Sequence, residues 1–572
     1  MEEFKNKLLD YLRAERRIAN EEIAKHRQMP DEEKEAAGLM IRHAAIDISD
    51  EEVETDECRF RFEVNETKIR LGDYVRLICE NTDKAIKKTA IVHEVGQDYI
   101  IVGVSVVELD KESLWSIEVF EVSLFDSYIK VLEEVTDGMP GSFFLEELAG
   151  KEEPSEESMF GVDDKAIKLM NELDFELNDS QADAIYYAIK QPSLRLIQGP
   201  PGTGKTFILS CISHIMAKVG KETAIVAKTH QAVNNALNKV KKLWPELNVC
   251  KIGQELRSDG LDDKILNFAT YKEYLAWRNV SGRRTFADVV GMTLQASTVN
   301  MCLRNSGFKP EIILVDEASQ IPLAEAAVIG ASGAGSVIFI GDDRQMPPIF
   351  MEELEKDSLS VSIFEHIAKI HPKTKDVLNV TYRMNDEICA FVSENFYEPF
   401  GIELISSETA AGQRMVFDCS SEADERIGEI FDQGNPSIIT MDINDPNDGI
   451  SWTEENYDEA LFAAQVASIA MKNGVAHEDI AIVTPFRKQV NAGRRAFKYL
   501  NIPEEGQPLV DTVERLQGQD VRLIIISFAV TDYSYYNQVK SFLLNPNRMN
   551  VMISRAKEKV VILKSNIIDF LL

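Results

Sequence analysis

Cysteine is sparse and unpaired in this sequence: Cys58, Cys79, Cys211, Cys250, Cys302, Cys389 and Cys419 make seven, with no two closer than 21 positions. That spacing excludes a zinc ribbon, a local iron–sulfur motif or a disulfide scaffold, and fits buried thiols in a reducing compartment. No apolar run reaches the about 18 residues of a membrane helix, and Met1 is followed by Glu2 and Glu3 rather than by a basic, then apolar, leader. The expectation is a cytoplasmic protein with no membrane partner. Positive charge is also short: 62 Lys and Arg stand against 95 Asp and Glu, a net charge of −33. Taken whole, that balance argues against nucleic-acid affinity through bulk charge.

What is present is an ordinary globular composition, 44% apolar and 27% charged over 572 residues, enough for three to four domains at about 150 residues each. The charge is uneven. Residues 101–200 hold 22 acidic and 7 basic side chains and residues 351–450 hold 21 and 7, whereas residues 201–300 hold 8 and 14. Such polarity predicts a narrow neutral-to-basic channel on an acidic body.

Along the chain, Phe4, Leu8, Leu12, Ile18 and Ile23 fall at near-helical spacing until Met29-Pro30, and residues 31–44 read as a second short helix. Short β-rich runs at Tyr74 to Cys79, Ala90 to Val95, Tyr99 to Val107 and Ser116 to Val122, separated by turn residues, suggest a small antiparallel barrel. The stretch EELAGKEEPSEE reads as a solvated boundary. From about 165 onward apolar strands alternate with helices, the pattern of a parallel sheet covered on both faces, and a second such series is expected from Asp376 to Val380 onward. The predicted division is a helical stalk (1–50), a β-barrel (51–145), an acidic linker (146–164) and two α/β domains (165–350 and 351–572) with a cleft between them.

The run Gly199-Pro200-Pro201-Gly202-Thr203-Gly204-Lys205-Thr206 fits G-x-x-x-x-G-K-[ST] between a strand and a helix. Its glycines let backbone N–H groups turn around phosphates, Lys205 can reach the β and γ phosphates of ATP, and the Thr206 hydroxyl can ligate Mg²⁺. Glu311 to Val315 is an apolar strand ending in Asp316 and Glu317, which suit a metal carboxylate and a base for the attacking water; a helix cap is the plainer alternative. Gln345, after the next strand, can sense the γ-phosphate, and Arg383 and Arg555 far downstream are candidate arginine fingers.

Taken in order, these motifs resemble superfamily 1 helicases, in the branch of the up-frameshift and immunoglobulin-mu-binding helicases, over about residues 60–572. The resemblance implies two tandem RecA-like P-loop domains, preceded by a stalk and a barrel, and 5′-to-3′ movement on single-stranded DNA or RNA. It implies that Gln181 reads the adenine edge and that Tyr382 stacks on the base. It further implies that Thr229, His230, Gln231 and Asn234, with Thr293, grip the strand in the first domain, and that Thr484, Pro485 and the segment around Gly518 couple the second. Arg555 takes the place of the finger. The family usually has His where Asp343 stands, Asp at Glu514, Glu at Asp520 and Thr at Ser554, and the insertion between Asn234 and Gly291 is short. A nuclease, where one is needed, would come from a partner. Two rivals stand beside this reading: a P-loop ATPase that remodels complexes without unwinding, and a scaffold with a degenerate ATP site.

Overall fold

The computed structural model describes residues 1–569 apart from 48–56, 64, 66, 68, 81–86, 97, 122, 159–162, 255–256, 259, 281–287, 303–306, 418–423, 445–450 and 517. A helix over Glu2–Gln28 opens the chain, with acids in its first turn and Lys25, His26 and Arg27 in its last, each complementing the helix dipole. Leu8, Leu9, Tyr11 and Leu12 are buried against the first α/β domain, so the N-terminal half of this stalk is part of that core.

Six strands close an antiparallel barrel: β1 (Met40–Ile46), β2 (Cys58–Arg61), β3 (Tyr74–Cys79), β4 (Lys87–Val95), β5 (Tyr99–Val102) and β6 (Leu114–Val119), in the order β1-β2-β5-β4-β3-β6. Closure leaves no free edge, and Phe60, Val75, Val92 and Trp115 fill the interior. The expected second helix over 31–44 is only Asp31–Ala36; Met40 onward is the first barrel strand, because its apolar residues are needed to complete that interior. The barrel therefore starts before residue 51.

The expected acidic linker is also corrected in part. Residues Pro140–Leu148 form a helix that buries Phe144, Leu145 and Leu148 in the first domain, and Glu147 is buried. Ser155 and Ser193 exchange hydrogen bonds of 2.9 and 3.0 Å. The acids of this stretch concealed a packed segment.

The first α/β domain is a parallel sheet of eight strands: β7 (Leu194–Gln198), β8 (Thr223–Ala227), β9 (Val249–Ile252), β10 (Leu266–Phe268), β11 (Val289–Thr293), β12 (Ile312–Asp316), β13 (Ser336–Gly341) and β14 (Lys375–Val377), ordered β10-β9-β11-β8-β12-β13-β7-β14. The short insertion thus adds strands β9 and β10 to the sheet. Strand β14 pairs in parallel with β7, and Arg195 and Asp376 join across that pair at 2.6–2.7 Å. The segment expected to begin the second domain consequently finishes the first sheet, and the helix Ile363–Ile370 buries Ile363, Phe364 and Ile367 in the first core. The boundary lies beyond residue 377, not at 351.

After the short pair β15 (Val380–Thr381) and β16 (Ile405–Ser406), the second domain holds five parallel strands: β17 (Ile438–Asn444), β18 (Ile480–Thr484), β19 (Leu509–Thr512), β20 (Val521–Ser527) and β21 (Ala556–Ser565), ordered β17-β21-β20-β18-β19. Helices cover both faces of each sheet, giving two apolar layers per domain. Five of the cysteines, Cys58, Cys79, Cys211, Cys250 and Cys389, are buried free thiols.

Candidate active site between the two α/β domains

The loop after β7 turns on Gly202 and Gly204, whose φ angles of 75° and 92° favour glycine. Gly202 has a second reason: a Cβ there would stand 2.5 Å from Thr381 Oγ1 and 2.6 Å from Arg383 Cβ, so the second domain's segment lies directly on the loop. The helix Lys205–Lys218 begins at once, presenting the N-terminal end of its dipole to the loop. Lys205 Nζ donates to the Gly199 carbonyl (2.5 Å) and Thr203 Oγ1 to that of Pro200 (2.8 Å), which holds the cradle in shape. Gln181 is buried; its Nε2 donates to the Thr203 carbonyl (3.1 Å) and its Oε1 accepts from Asn178 N (3.4 Å). Both ends of that amide brace the loop and the helix cap. Pro200 and Pro201 are buried in the same turn, and Thr206 lines the cleft.

Asp316 is the last residue of β12 and accepts a hydrogen bond from Glu317 N at 3.0 Å. Burial, with the Glu317 carboxylate adjacent, holds its carboxyl well above the usual range. Glu317 has a φ of 50°, a left-handed backbone that a non-glycine residue adopts at a cost of about 1–2 kcal/mol. Its carboxylate accepts from Gln320 Nε2 at 3.2 Å, and it lines the cleft. Strain of this kind is retained where the turn has to present a particular side chain.

From the opposite wall, Tyr382 N donates to the Gly202 carbonyl (2.9 Å), and the phenol oxygen accepts from Asn178 Nδ2 (3.0 Å) while 45% of the residue stays exposed. Arg383 donates to the Ser554 carbonyl (2.9 Å) and pairs with Asp520 (2.5 Å). Arg555 donates to Gln345 Oε1 (3.4 Å), and burial, with Arg383 beside it, lowers its guanidinium to about 10, still cationic at neutral pH. The Nε atoms of Arg383 and Arg555 are both buried without a hydrogen-bond partner among the described residues. Two orphaned cationic donors opposite a P-loop fit a phosphate chain. No ion pair forms with Asp316 among the described residues, so this buried carboxylate and the Thr206 hydroxyl fit a divalent cation. Sequence reasoning had no signal for Tyr397, which bridges Asp342 and Asn550 by hydrogen bonds behind Gln345. Asp343, standing for the family's His, accepts from Gln198 Nε2 (2.5 Å) and pairs with Arg344 (2.8 Å).

These groups share one cleft of about 1390 Å³. Ten Lys and Arg line it (Arg70, Lys205, Lys228, Lys239, Arg257, Arg383, Arg487, Arg494, Arg515 and Arg555) against six acids (Asp316, Glu317, Glu504, Asp511, Glu514 and Asp520), the reverse of the whole-chain balance. The barrel reaches it through Asn65, Thr67 and Arg70, and Arg257 joins barrel to domain by donating to the Gly72 carbonyl and to Asp73, both at 2.8 Å.

The candidate strand-gripping residues fare unevenly. Thr229, which caps the helix His230–Leu243, lines the cleft together with His230 and Gln231. Partial burial, with Lys251 and Arg257 nearby, lowers His230 to about 4, so its ring is neutral at pH 7. Asn234 is buried and donates to the Arg257 carbonyl (3.4 Å). Thr293 is buried and accepts from Ala296 N (3.1 Å), and Thr484 is fully buried and accepts from Phe486 N (3.4 Å). Neither they nor Pro485 line the cleft. Gly518, with a φ of 82°, brings the second domain to within 3.2 Å of Asn235 Nδ2 for a built Cβ; its neighbour Gln517 lies outside the described residues.

Two family profiles, both described as AAA domain, match residues 176–360 and 359–566. The chain is 26% identical over 502 residues to an uncharacterized ATP-dependent helicase of Methanocaldococcus jannaschii, covering 73% of each. It is 27% identical to the ATP-dependent helicase NAM7 of Saccharomyces cerevisiae (68% of this chain, 41% of that one). It is 28% identical to the regulator of nonsense transcripts 1 homolog of Drosophila melanogaster (68% and 34%). Apart from the archaeal protein, the chain thus spans less than half the length of these relatives. An arterivirus nonstructural protein 10 helicase matches 91% of the chain at 14% identity and a TM-score of 0.40, too loose a likeness to bear on the reading.

Proposed function

This chain belongs to the superfamily 1 helicases, in their up-frameshift-like branch, and from that membership we propose that it hydrolyses ATP in the inter-domain cleft to drive movement along single-stranded nucleic acid. The observation that carries the reading is the pair of second-domain arginines, Arg383 and Arg555, whose Nε atoms have no hydrogen-bond partner among the described residues and which line the same cleft as Lys205. A P-loop ATPase that borrows its arginine from a neighbouring subunit has no use for such a pair in cis.

In this proposal Lys205 leaves the Gly199 carbonyl to hold the β and γ phosphates, and Tyr382 stacks on the adenine. Gln181, whose amide braces the loop, reads the adenine edge. Asp316 and Thr206 hold Mg²⁺, which when bound neutralises phosphate charge. Glu317 orients and deprotonates the attacking water. Arg383 and Arg555 stabilise the charge that spreads over the transferring phosphoryl group, and Gln345 reports that state to the first domain. Closing and reopening the cleft shift the grip of each domain by turns, which gives stepping; the family resemblance makes the direction 5′ to 3′. Thr229, His230 and Gln231 contact the strand backbone, and the basic lining supplies the attraction that the acidic body lacks.

Steady-state ATP turnover of the purified chain, measured with and without single-stranded DNA or RNA at fixed salt, tests the reading. Stimulation by either strand is expected; turnover that ignores both would favour a remodelling ATPase, and no turnover would sink the proposal.

A further inference from the structure

Behind Gln345, a buried polar chain crosses from one α/β domain to the other. Asp342, just after β13 in the first domain, accepts at Oδ2 from Gln345 Nε2 (2.7 Å) and from the Tyr397 hydroxyl (2.6 Å) of the second domain. Tyr397 in turn accepts from Asn550 Nδ2 (2.9 Å), which also donates to the Arg344 carbonyl (2.8 Å). Asn550 lies on the helix Pro546–Ser554, and Arg555 follows that helix directly and donates to Gln345 Oε1 (3.4 Å). The chain is therefore a closed loop: Asp342, Gln345, Arg555, the helix, Asn550, Tyr397 and back.

Two features set this loop apart from an ordinary structural tie. Asp342, Tyr397 and Asn550 are essentially inaccessible, yet among the described residues Asp342 forms no ion pair, and packing two domains with apolar side chains would cost less. The arrangement is also incompletely satisfied: Asn550 Oδ1 and Arg555 Nε are buried without partners among the described residues, which suits a network with a second arrangement. Tyr397 ends a π-helical turn, Ser393–Tyr397, and the wider turn changes the direction of its side chain relative to an α-helical continuation.

We propose that Tyr397 is a positioning residue: through Asp342 and Gln345 it fixes where the Arg555 guanidinium stands, and so ties the relative placement of the two domains to ATP hydrolysis. The proposal rests on the function argued above. The Tyr397 hydroxyl bonds to Asp342 and Asn550, neither of them in the P-loop, so its loss falls on kcat rather than on nucleotide binding.

The test is ATP turnover in the presence of single-stranded nucleic acid for the full chain, Tyr397→Phe, Arg555→Ala and the double variant, with Asp342→Asn to perturb the same contact from the first domain. Tyr397→Phe keeps the ring and is expected to lower kcat about tenfold with KM for ATP within about twofold. On top of Arg555→Ala it is expected to add less than about twofold, because both changes break one loop. A kcat for Tyr397→Phe within twofold of the unsubstituted chain, or a full additional tenfold loss in the double variant, would overturn the proposal. An unsubstituted chain that turns over no ATP would instead remove the reading on which it rests.

Discussion

The proposed nucleotide side of the cleft and the proposed strand side are built differently, although both draw on segments next to strands of the same two sheets. On the nucleotide side, residues far apart in sequence, Lys205, Asp316, Gln345, Arg383 and Arg555, converge on one space, and their charged atoms point to one ligand class. On the strand side, Thr293 and Thr484 are buried and cap their own backbone, whereas Thr229, His230 and Gln231 line the open cleft beside a barrel held by Arg257. Phosphate binding needs a few groups at fixed spacing. The proposed strand groove draws on loops of three domains and owes more to backbone and shape than to side-chain identity.

The largest expected effect that sharpens this contrast is on the nucleotide side. Arg555→Ala should lower kcat on the order of 10³-fold, the range for loss of an arginine finger, read as single-strand-stimulated turnover. A loss below tenfold would place the finger elsewhere, with Arg383 the first alternative.

An intermediate effect is expected beside the strand grip, where the stalk's Glu15 is buried against Glu325, which also pairs with Lys228 at 2.5 Å next to Thr229. Burial, then repulsion from Glu325, raises the Glu15 carboxyl from 4.5 to about 8. Its protonated form is the one the fold favours. The stabilising contribution is thus complete below about pH 4.5 and is lost as pH rises through 8. Glu15→Gln should raise the melting temperature at pH 8, by an amount corresponding to about 2 kcal/mol, and the gain should shrink towards pH 4. Thermal melts across that pH range would reject the assignment if the gain were constant.

The smallest effect distinguishes the two sides most cleanly. Thr484→Val, which keeps the shape of a buried side chain, should leave single-strand affinity within about twofold at fixed salt, whereas a direct phosphate contact through its hydroxyl would cost about tenfold or more.

Much of this molecule was legible beforehand, for physical reasons that differ by element. Strands β8, β12, β13, β18 and β20 are continuous apolar runs buried on both faces, and such runs announce parallel strands. The nucleotide motifs were legible because their chemistry requires named residues at set spacing. Strand β14 joins the first sheet against expectation because Lys375-Asp376-Val377 carries no local sign of its partner: the choice is made by a bidentate pair with Arg195, 181 residues upstream. The linker expected over residues 146–164 rests on the acids that dominate its composition, although packing at its start is decided by Phe144, Leu145 and Leu148. Asp342 and Asn550 stand in the runs that carry Gln345 and Arg555, but Tyr397 belongs to no spacing pattern, and only the docking of two domains joins the three.

The net charge of −33 is likewise an average that the cleft reverses, with ten basic residues against six acidic ones. Bulk charge speaks for solubility and for discouraging binding elsewhere; the partner is chosen by the local field.

The central claim is that the cleft both holds ATP and hydrolyses it with Glu317 as the base. Glu317→Gln tests it most directly, by nucleotide binding and by turnover measured side by side with single-stranded nucleic acid present. The account predicts ATP affinity close to that of the unsubstituted chain with turnover reduced at least about 10²-fold, the lower range for a general base. Turnover at the unsubstituted rate would contradict it.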